Sequence, residues 1–390
     1  MPWLQEAAPT CNRDFRAAYS AVVSDRPQAS SIYSWDLFFL NDGAFLSLAK
    51  PLQQLHITRI YQELPQAYLE LEQTADMVER FHAIGIETVF LTGDRAWSRD
   101  GLDEFYAQID ALCRFNTSLC TKQPITTVAL DVESYTLRQW ERDPEGSFSD
   151  YTALMAQAYD YAHERGFQVV QIIPPTLDTI SQQTFERFVA SCCDEISVMN
   201  YEKDIALSSI WNEVRTCRSY GVPIETIFET MPKNDYYSVT ESNTYFYDGF
   251  EALSQAKEDM TSVYGTSLGI SYHFYQTLLP IYTGTYLAEI YPYTTQTDPN
   301  ADSNGQVNQI QAILLSGDDG SKLRAQLYSP HLNASPSELC FLAVGVKPSV
   351  RYSVMLISQD YRIVYGHQLT FDFSGGRTLD TAAIGVCPTG

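Results

Sequence analysis

Short apolar runs rich in β-branched and aromatic residues alternate with stretches of helical period over the first three quarters of the chain. Strand-like runs cover Ser31 to Leu40, Ile57 to Leu64, Glu87 to Thr92, Thr126 to Tyr135, Gln168 to Ile173, Glu195 to Tyr201, Ile224 to Met231 and Leu268 to Tyr275. Between them, amphipathic patterns predict helices over Gly43 to Gln54, Thr74 to Ile84, Leu102 to Phe115, Asp150 to Arg165, Gln182 to Cys192, Leu207 to Tyr220 and Phe250 to Tyr264. Gly85, Gly166 and Gly221 follow three of these as stop signals. Strict alternation of about eight such units predicts an α/β fold closed as a (β/α)8 TIM barrel rather than an open sheet.

From Tyr293 to Gln306 the sequence turns polar and rich in turn residues, which predicts a linker or long loop at 293–306. Beyond it, Val307 to Leu315, Leu323 to Tyr328, Leu339 to Val346, Ser353 to Ser358 and Ile363 to Phe373 read as successive strands without helical period. The expectation is a barrel over 1–292 and a C-terminal antiparallel β-sandwich module over 307–390. Such modules bind sugars in some enzymes and only pack on the barrel in others.

Composition narrows the partners. The chain has 390 residues, enough for a barrel of about 250 plus a smaller module. Its 48 acidic and 25 basic residues give a formal charge of -23, which disfavours nucleic acid and anionic membrane surfaces and suits a neutral or cationic substrate. No run is long enough for membrane insertion, and the first residues lack the pattern of a secretory signal. A soluble chain is expected. Secretion after removal of a signal and a cytoplasmic location both stay open, as does the oligomeric state. The 8 cysteines show no metal-ligand spacing and read first as buried thiols; on export, Cys340 and Cys387 are the pair to test. With 6 scattered histidines, neither a metal site nor a cofactor is expected.

Candidate chemistry gathers at the strand ends. In Leu130-Asp131-Val132-Glu133 an apolar strand runs into two carboxylates at alternate positions, which places both on one face. Barrel enzymes carry their sites at that carboxyl end. The same end of the other strands is expected to supply Trp35 and Asp36, Arg59 and Tyr61, Asp94 and Trp97, Tyr135, Asn200, Tyr201 and Glu202, Glu229, and His273 and Tyr275. Several carboxylates ringed by aromatic side chains are what glycoside hydrolysis requires: a proton donor, a group that stabilises the oxocarbenium-like state, and flat faces for sugars. His273 reads equally as a sugar contact, a neutral packing residue or a proton shuttle.

These motifs resemble the chitinase-type glycoside hydrolases of family 18, whose fourth strand ends in an acidic series closing with Asp-x-Glu and whose sixth carries Met-x-Tyr-Asp, as Met199-Asn200-Tyr201-Glu202 nearly does. The resemblance implies that Glu133 is the general acid, that Asp131 orients the substrate acetamido group and tunes the acid, and that Tyr201 contacts that group. The chain departs from the pattern where Thr126 and Ala129 replace two earlier aspartates, where Glu202 replaces Asp, and where Tyr272-His273-Phe274-Tyr275 stands in place of a strand-eight Trp. The run Val128-Ala129-Leu130-Asp131-Val132-Glu133 is also similar to the family 25 muramidases.

A second arrangement makes Glu133 the acid/base and Glu229 the nucleophile of a retaining barrel glycosidase, although Val132 stands where that clan usually has Asn. Glu229 reads equally as an ion-pair partner of Lys233 or Arg59. The functional expectation is hydrolysis of a polysaccharide or amino-sugar glycan; its alternative is a carbohydrate-binding or scaffold barrel that has lost its chemistry. An esterase or amidase is the weakest reading, because no Ser or Cys has a base beside it.

Overall fold

The computed structural model describes residues 30–294, 310–328, 339–358 and 362–386. Eight parallel strands form a closed barrel: β1 (Ser30–Ser34), β2 (Arg59–Glu63), β3 (Glu87–Thr92), β4 (Thr127–Leu130), β5 (Gln168–Ile173), β6 (Glu195–Met199), β7 (Ile224–Glu229) and β8 (Leu268–His273). Each pairs with its successor, and β8 returns to β1 through Ser30↔Ile270 and Ile32↔Tyr272. The connecting helices are α1 (Asp42–Gln54), α2 (Glu72–Ala83), α3 (Asp103–Ser118), α4 (Pro144–Glu164), α5 (Gln182–Ser191), α6 (Trp211–Tyr220) and α7 (Gly249–Tyr264), and α8 (Tyr275–Thr283) follows β8. The expected (β/α)8 barrel is the observed one.

Local chemistry sets the helix ends. Asp143 caps α4 by accepting from the Gly146 N–H at 3.0 Å, and Pro144 opens the helix, where a missing N–H costs nothing. The helix therefore begins six residues before the expected Asp150, inside a polar turn that carries no apolar period. Gly221 ends α6 with φ 69, a left-handed conformation that favours glycine.

Both faces of the barrel strands are buried, which explains their near-continuous apolar runs. Ile60, Val128, Val198 and Ile270 alternate with an inward set that includes Tyr33, Tyr61, Val89, Leu91, Ala129, Val170, Ile172, Met199 and Ile227. Below that layer the interior is polar. Arg59 binds both oxygens of Glu195 at 2.8 and 2.9 Å and Glu87 at 3.0 Å, while Ser31 and Ser197 donate to Glu225 at 2.9 and 2.7 Å. Burial and the nearby Glu195 push the Glu225 carboxyl above its ordinary value, against the pull of Arg59.

Residue contacts divide the described chain into two compact units. The barrel unit comprises residues 30–35 and Ile57–Phe274; the second takes Asp36–His56 and the chain from Tyr275 onward. Thus α1 and α8, inside the expected 1–292 segment, and β9 (Tyr286–Thr294), which runs two residues past its end into the expected linker, cluster with the second unit. The expected polar connection lies outside the described residues from 295 on.

The second unit is a seven-stranded mixed sheet of β9, β10 (Ile310–Gly317), β11 (Lys322–Tyr328), β12 (Cys340–Val346), β13 (Tyr352–Ser358), β14 (Arg362–Leu369) and β15 (Leu379–Val386), in the order β14-β13-β10-β11-β12-β9-β15. Most neighbours are antiparallel, as expected for this module, but β15 pairs with β9 in parallel, Leu379↔Leu287 through Val386↔Thr294. Its core is built from Ile290, Ile313, Leu315, Phe341, Tyr352 and Leu356 with their neighbours. Within this unit Asn41 caps α1 and also donates to the Leu327 carbonyl at 2.6 Å. No disulfide joins any two described cysteines; Cys340 is buried, and Cys387 lies outside the described residues. Among the described residues, no helix is long and apolar enough to cross a membrane.

Candidate active site

The regular part of β4 ends at Leu130, and the Asp131 N–H carries the ladder one step further to the Thr92 carbonyl at 2.9 Å. This step is possible because Gly93 has no side chain: a Cβ there would fall 2.1 Å from the Asp131 carbonyl oxygen. Val132 is then buried, and Glu133 opens a short 3-10 turn, Ser134–Thr136. The two carboxyls lie near enough for the Glu133 charge to act on Asp131.

Their environments differ. The Asp131 Oδ1 is buried with no hydrogen-bond partner among the described residues. Burial, then the neighbouring Glu133 charge, pushes the Asp131 carboxyl up to about 7, with Glu63 adding and His273 opposing. Glu133 accepts a hydrogen bond from the Tyr135 hydroxyl at 2.5 Å, and that hydroxyl is pushed far up by burial and by the same carboxylate. The two acids, both half-buried, thus have distinct settings, one with a buried oxygen lacking a partner among the described residues, the other held by a tyrosine.

Opposite them, on the last two strands, Glu229 and His273 form a pair. The His273 Nδ1 lies 2.9 and 3.0 Å from the two Glu229 oxygens, and the Met231 N–H donates to Glu229 at 2.7 Å. Burial opposes charge on the imidazole, but attraction and hydrogen bonding to Glu229 outweigh it, with Asp131 and Glu133 adding, so His273 titrates above its ordinary value. Aromatic rings complete the wall. Tyr33 stacks on Tyr61 at 4.5 Å and on Trp35 at 5.6 Å; Trp35 meets the His273 ring edge-on at 4.7 Å, and Tyr201 stacks on it at 5.8 Å. Burial, followed by Glu229, raises the Tyr201 hydroxyl well above its ordinary value.

The structure therefore brings Asp131, Glu133, Tyr135, Tyr201, Glu229, His273 and Trp35 together, with Tyr61 one layer deeper. Other expected site residues are placed differently. Arg59 opens β2 and is fully engaged by Glu87 and Glu195 at the amino end, so it does not stand at the rim. Asn200 is buried in the scaffold, donating to the Ala206 carbonyl and to Thr226 and accepting from Ser209. Glu202 is exposed and accepts from Asn243 at 2.8 Å. Asp94 is exposed and accepts from the Ala96 N–H, while Trp97 is buried against Phe105 and donates to Glu104. Asp36 and Tyr275 belong to the second unit, where the Tyr275 hydroxyl donates to the Leu48 carbonyl at 2.9 Å.

Gly93 and Phe274, whose ring stands edge-on to Trp35 at 5.5 Å, were not expected to matter. The glycine directly after an apolar strand was the available signal for the first. A cavity of about 460 Å³ is lined by Ser98, Gln139, Arg142, Asp150 and Tyr151 among others, on the helical segments after β3 and β4, and no strand-end carboxylate lines it.

No protein-family model matches the chain, and no curated protein matches it. Solved structures resemble it at low identity. A family 18 chitinase from Pseudoalteromonas aurantia is 12% identical with a TM-score of 0.44, covering 63% of this chain and 94% of its own. A chitinase from Chromobacterium violaceum is 10% identical with a TM-score of 0.40, covering 64% and 95%. A D-psicose 3-epimerase from Clostridium cellulolyticum is 12% identical with a TM-score of 0.37, covering 63% and 85%.

Proposed function

We propose that this protein is a glycoside hydrolase of the family 18 kind, acting on an amino-sugar glycan with Glu133 as the proton donor. The observation that carries the reading is the Asp131–Glu133 pair: two neighbouring carboxyls at a strand end, one of them with a buried oxygen that has no hydrogen-bond partner among the described residues and with its pKa pushed up to about 7. Glu133 gives a proton to the glycosidic oxygen as the bond from that oxygen to C1 breaks. The acetamido oxygen of the substrate bonds to C1, and water later opens that adduct and returns a proton to Glu133. Asp131 and Tyr201 hold the acetamido group while this happens. Trp35 provides a flat apolar wall, and a neutral glycan suits a chain of formal charge -23.

Glu229 is a positioning residue in this scheme. Its oxygens are engaged by His273 and by the Met231 N–H, which favours an anchor for the imidazole over a nucleophile. The test is release of reducing ends from colloidal chitin, peptidoglycan and neutral glucans by the native protein, Glu133→Gln and Glu229→Gln. Loss with Glu133→Gln and partial retention with Glu229→Gln is expected. Equal, complete loss in both favours the two-glutamate mechanism, and binding of glycan with no release by the native protein favours a non-catalytic barrel.

A further inference from the structure

The segment from Thr230 to Asp248, between β7 and α7, exposes three tyrosines: Tyr236 at 86%, Tyr237 at 62% and Tyr247 at 52%. Adjacent exposed aromatic rings offer a partner broad apolar contact area. These are also held in place. Asn234 and Val239 exchange two backbone hydrogen bonds, at 3.0 and 2.9 Å, closing a small loop. Within it the Asn234 side-chain oxygen accepts from the N–H groups of both Tyr236 and Tyr237, at 2.9 and 3.2 Å. Ser238 sits at φ 58, in the left-handed region where a non-glycine residue is strained. The Tyr236 and Tyr237 rings stand 4.8 Å apart at 89°, and the Tyr247 hydroxyl accepts from the Lys233 N–H at 3.1 Å. An ordered turn with a strained residue and two outward rings is a constructed surface.

The loop is also tied to the candidate active site. The Tyr245 N–H donates to the Glu229 carbonyl at 3.0 Å, and Asn243 donates to Glu202 at 2.8 Å and to the Tyr201 carbonyl at 3.4 Å. Lys203, two residues after Tyr201, pairs with Asp248. The platform thus hangs from the backbone of the residues that flank the strand-end carboxylates, at the same end of the barrel.

We propose that Tyr236 and Tyr237, with Tyr247 exposed on the same segment, form a secondary binding platform for a neutral polysaccharide chain, engaging sugar units beyond those at the reacting bond. The inference rests on the glycoside hydrolase reading for its ligand class, and it makes the polymer the preferred substrate over short fragments. Tyrosine rings offer broad, rigid contact area at small entropy cost, which suits the apolar faces of sugar rings. Asp235 and Glu241 in the same loop disfavour an acidic polymer.

The experiment compares the native protein, Tyr236→Ala/Tyr237→Ala and Tyr236→Trp/Tyr237→Trp. Co-sedimentation with colloidal chitin is measured in the Glu133→Gln background, and kcat/KM is measured on colloidal chitin and on chitotriose with Glu133 intact. The alanine pair is expected to weaken sedimentation about tenfold and to lower the polymer-to-trimer ratio of kcat/KM by a similar factor, with the tryptophan pair restoring both. Unchanged sedimentation and an unchanged ratio in the alanine pair overturn the platform, as does a native protein that binds no chitin. Tyrosine-dependent sedimentation without any hydrolysis leaves the platform standing and overturns the reaction instead.

Discussion

The Glu229 carboxylate grips the Nδ1 side of His273 from within the barrel wall, both oxygens lying within 3.0 Å of that nitrogen. This single contact fixes the orientation of the imidazole, which Tyr201 stacks on and Trp35 meets edge-on.

Replacing Glu229 by Gln removes the charge that favours imidazolium, so His273 should titrate at a lower pH in the variant, read directly by NMR of its ring protons. A raised folded-state value means that the pairing stabilises fully below the ordinary imidazole value and is lost as pH rises through the raised one. The stability gap between native and Glu229→Gln should therefore shrink toward alkaline pH in thermal melts; a gap that widens there contradicts the pairing.

Glu133→Gln should lower kcat on a cleavable glycan by about 10²–10⁴-fold while leaving the melting temperature nearly unchanged, since the side chain is only partly buried. A matching loss of stability would mark Glu133 as structural.

For Asp131 the sign is opposite to that of an ordinary surface acid. Its folded value of about 7 lies above the ordinary carboxyl value, so it contributes stability at low pH that is lost as pH climbs to about 7. Asp131→Asn carries no such titration, and its melting temperature should fall less steeply than that of the native protein over this range. Parallel curves would refute the buried, proton-holding state.

Glu213 in α6 is completely buried, and burial, together with the charge and hydrogen bonding of the nearby Asp178, pushes its carboxyl up to about 8. Glu213→Gln is expected to stabilise the protein relative to native above about pH 7 and to matter least near pH 4, where the glutamate is already protonated. Chemical denaturation at the two pH values checks this.

Gly93→Ala should disturb the site from outside it, because the added carbon would meet the Asp131 carbonyl and force β3 and β4 apart. Reduced turnover with intact far-UV circular dichroism is the expected outcome.

The barrel was legible because strands buried on both faces leave apolar runs, and because helix stops such as Gly221 mark where each unit closes. The strand-end acids were legible for the same reason: Asp131 and Glu133 interrupt a run that is otherwise apolar. Arg59 was misplaced because strand boundaries alone do not tell which end of the barrel a charge occupies; its partners Glu87 and Glu195 lie 28 and 136 positions away. Tyr275 was misassigned because the chain leaves β8 and enters α8 at a residue that is equally at home in either. The parallel pairing of β15 with β9 joins segments far apart in sequence, and nothing local announces it. The pairing of Glu229 with His273 depends on neighbouring strand ends meeting in register, which becomes visible only once the barrel has closed.

The ion pairs of Arg59 with Glu87 and Glu195 give the barrel a charged floor at the amino end of its strands. With side chains engaged across the interior below the aromatic layer, a glycan of the proposed kind is expected to lie across the carboxyl end of the strands rather than to run along the barrel axis. On the proposed reading, the bond to be cut would dip toward Glu133 while the rest of the glycan stays outside.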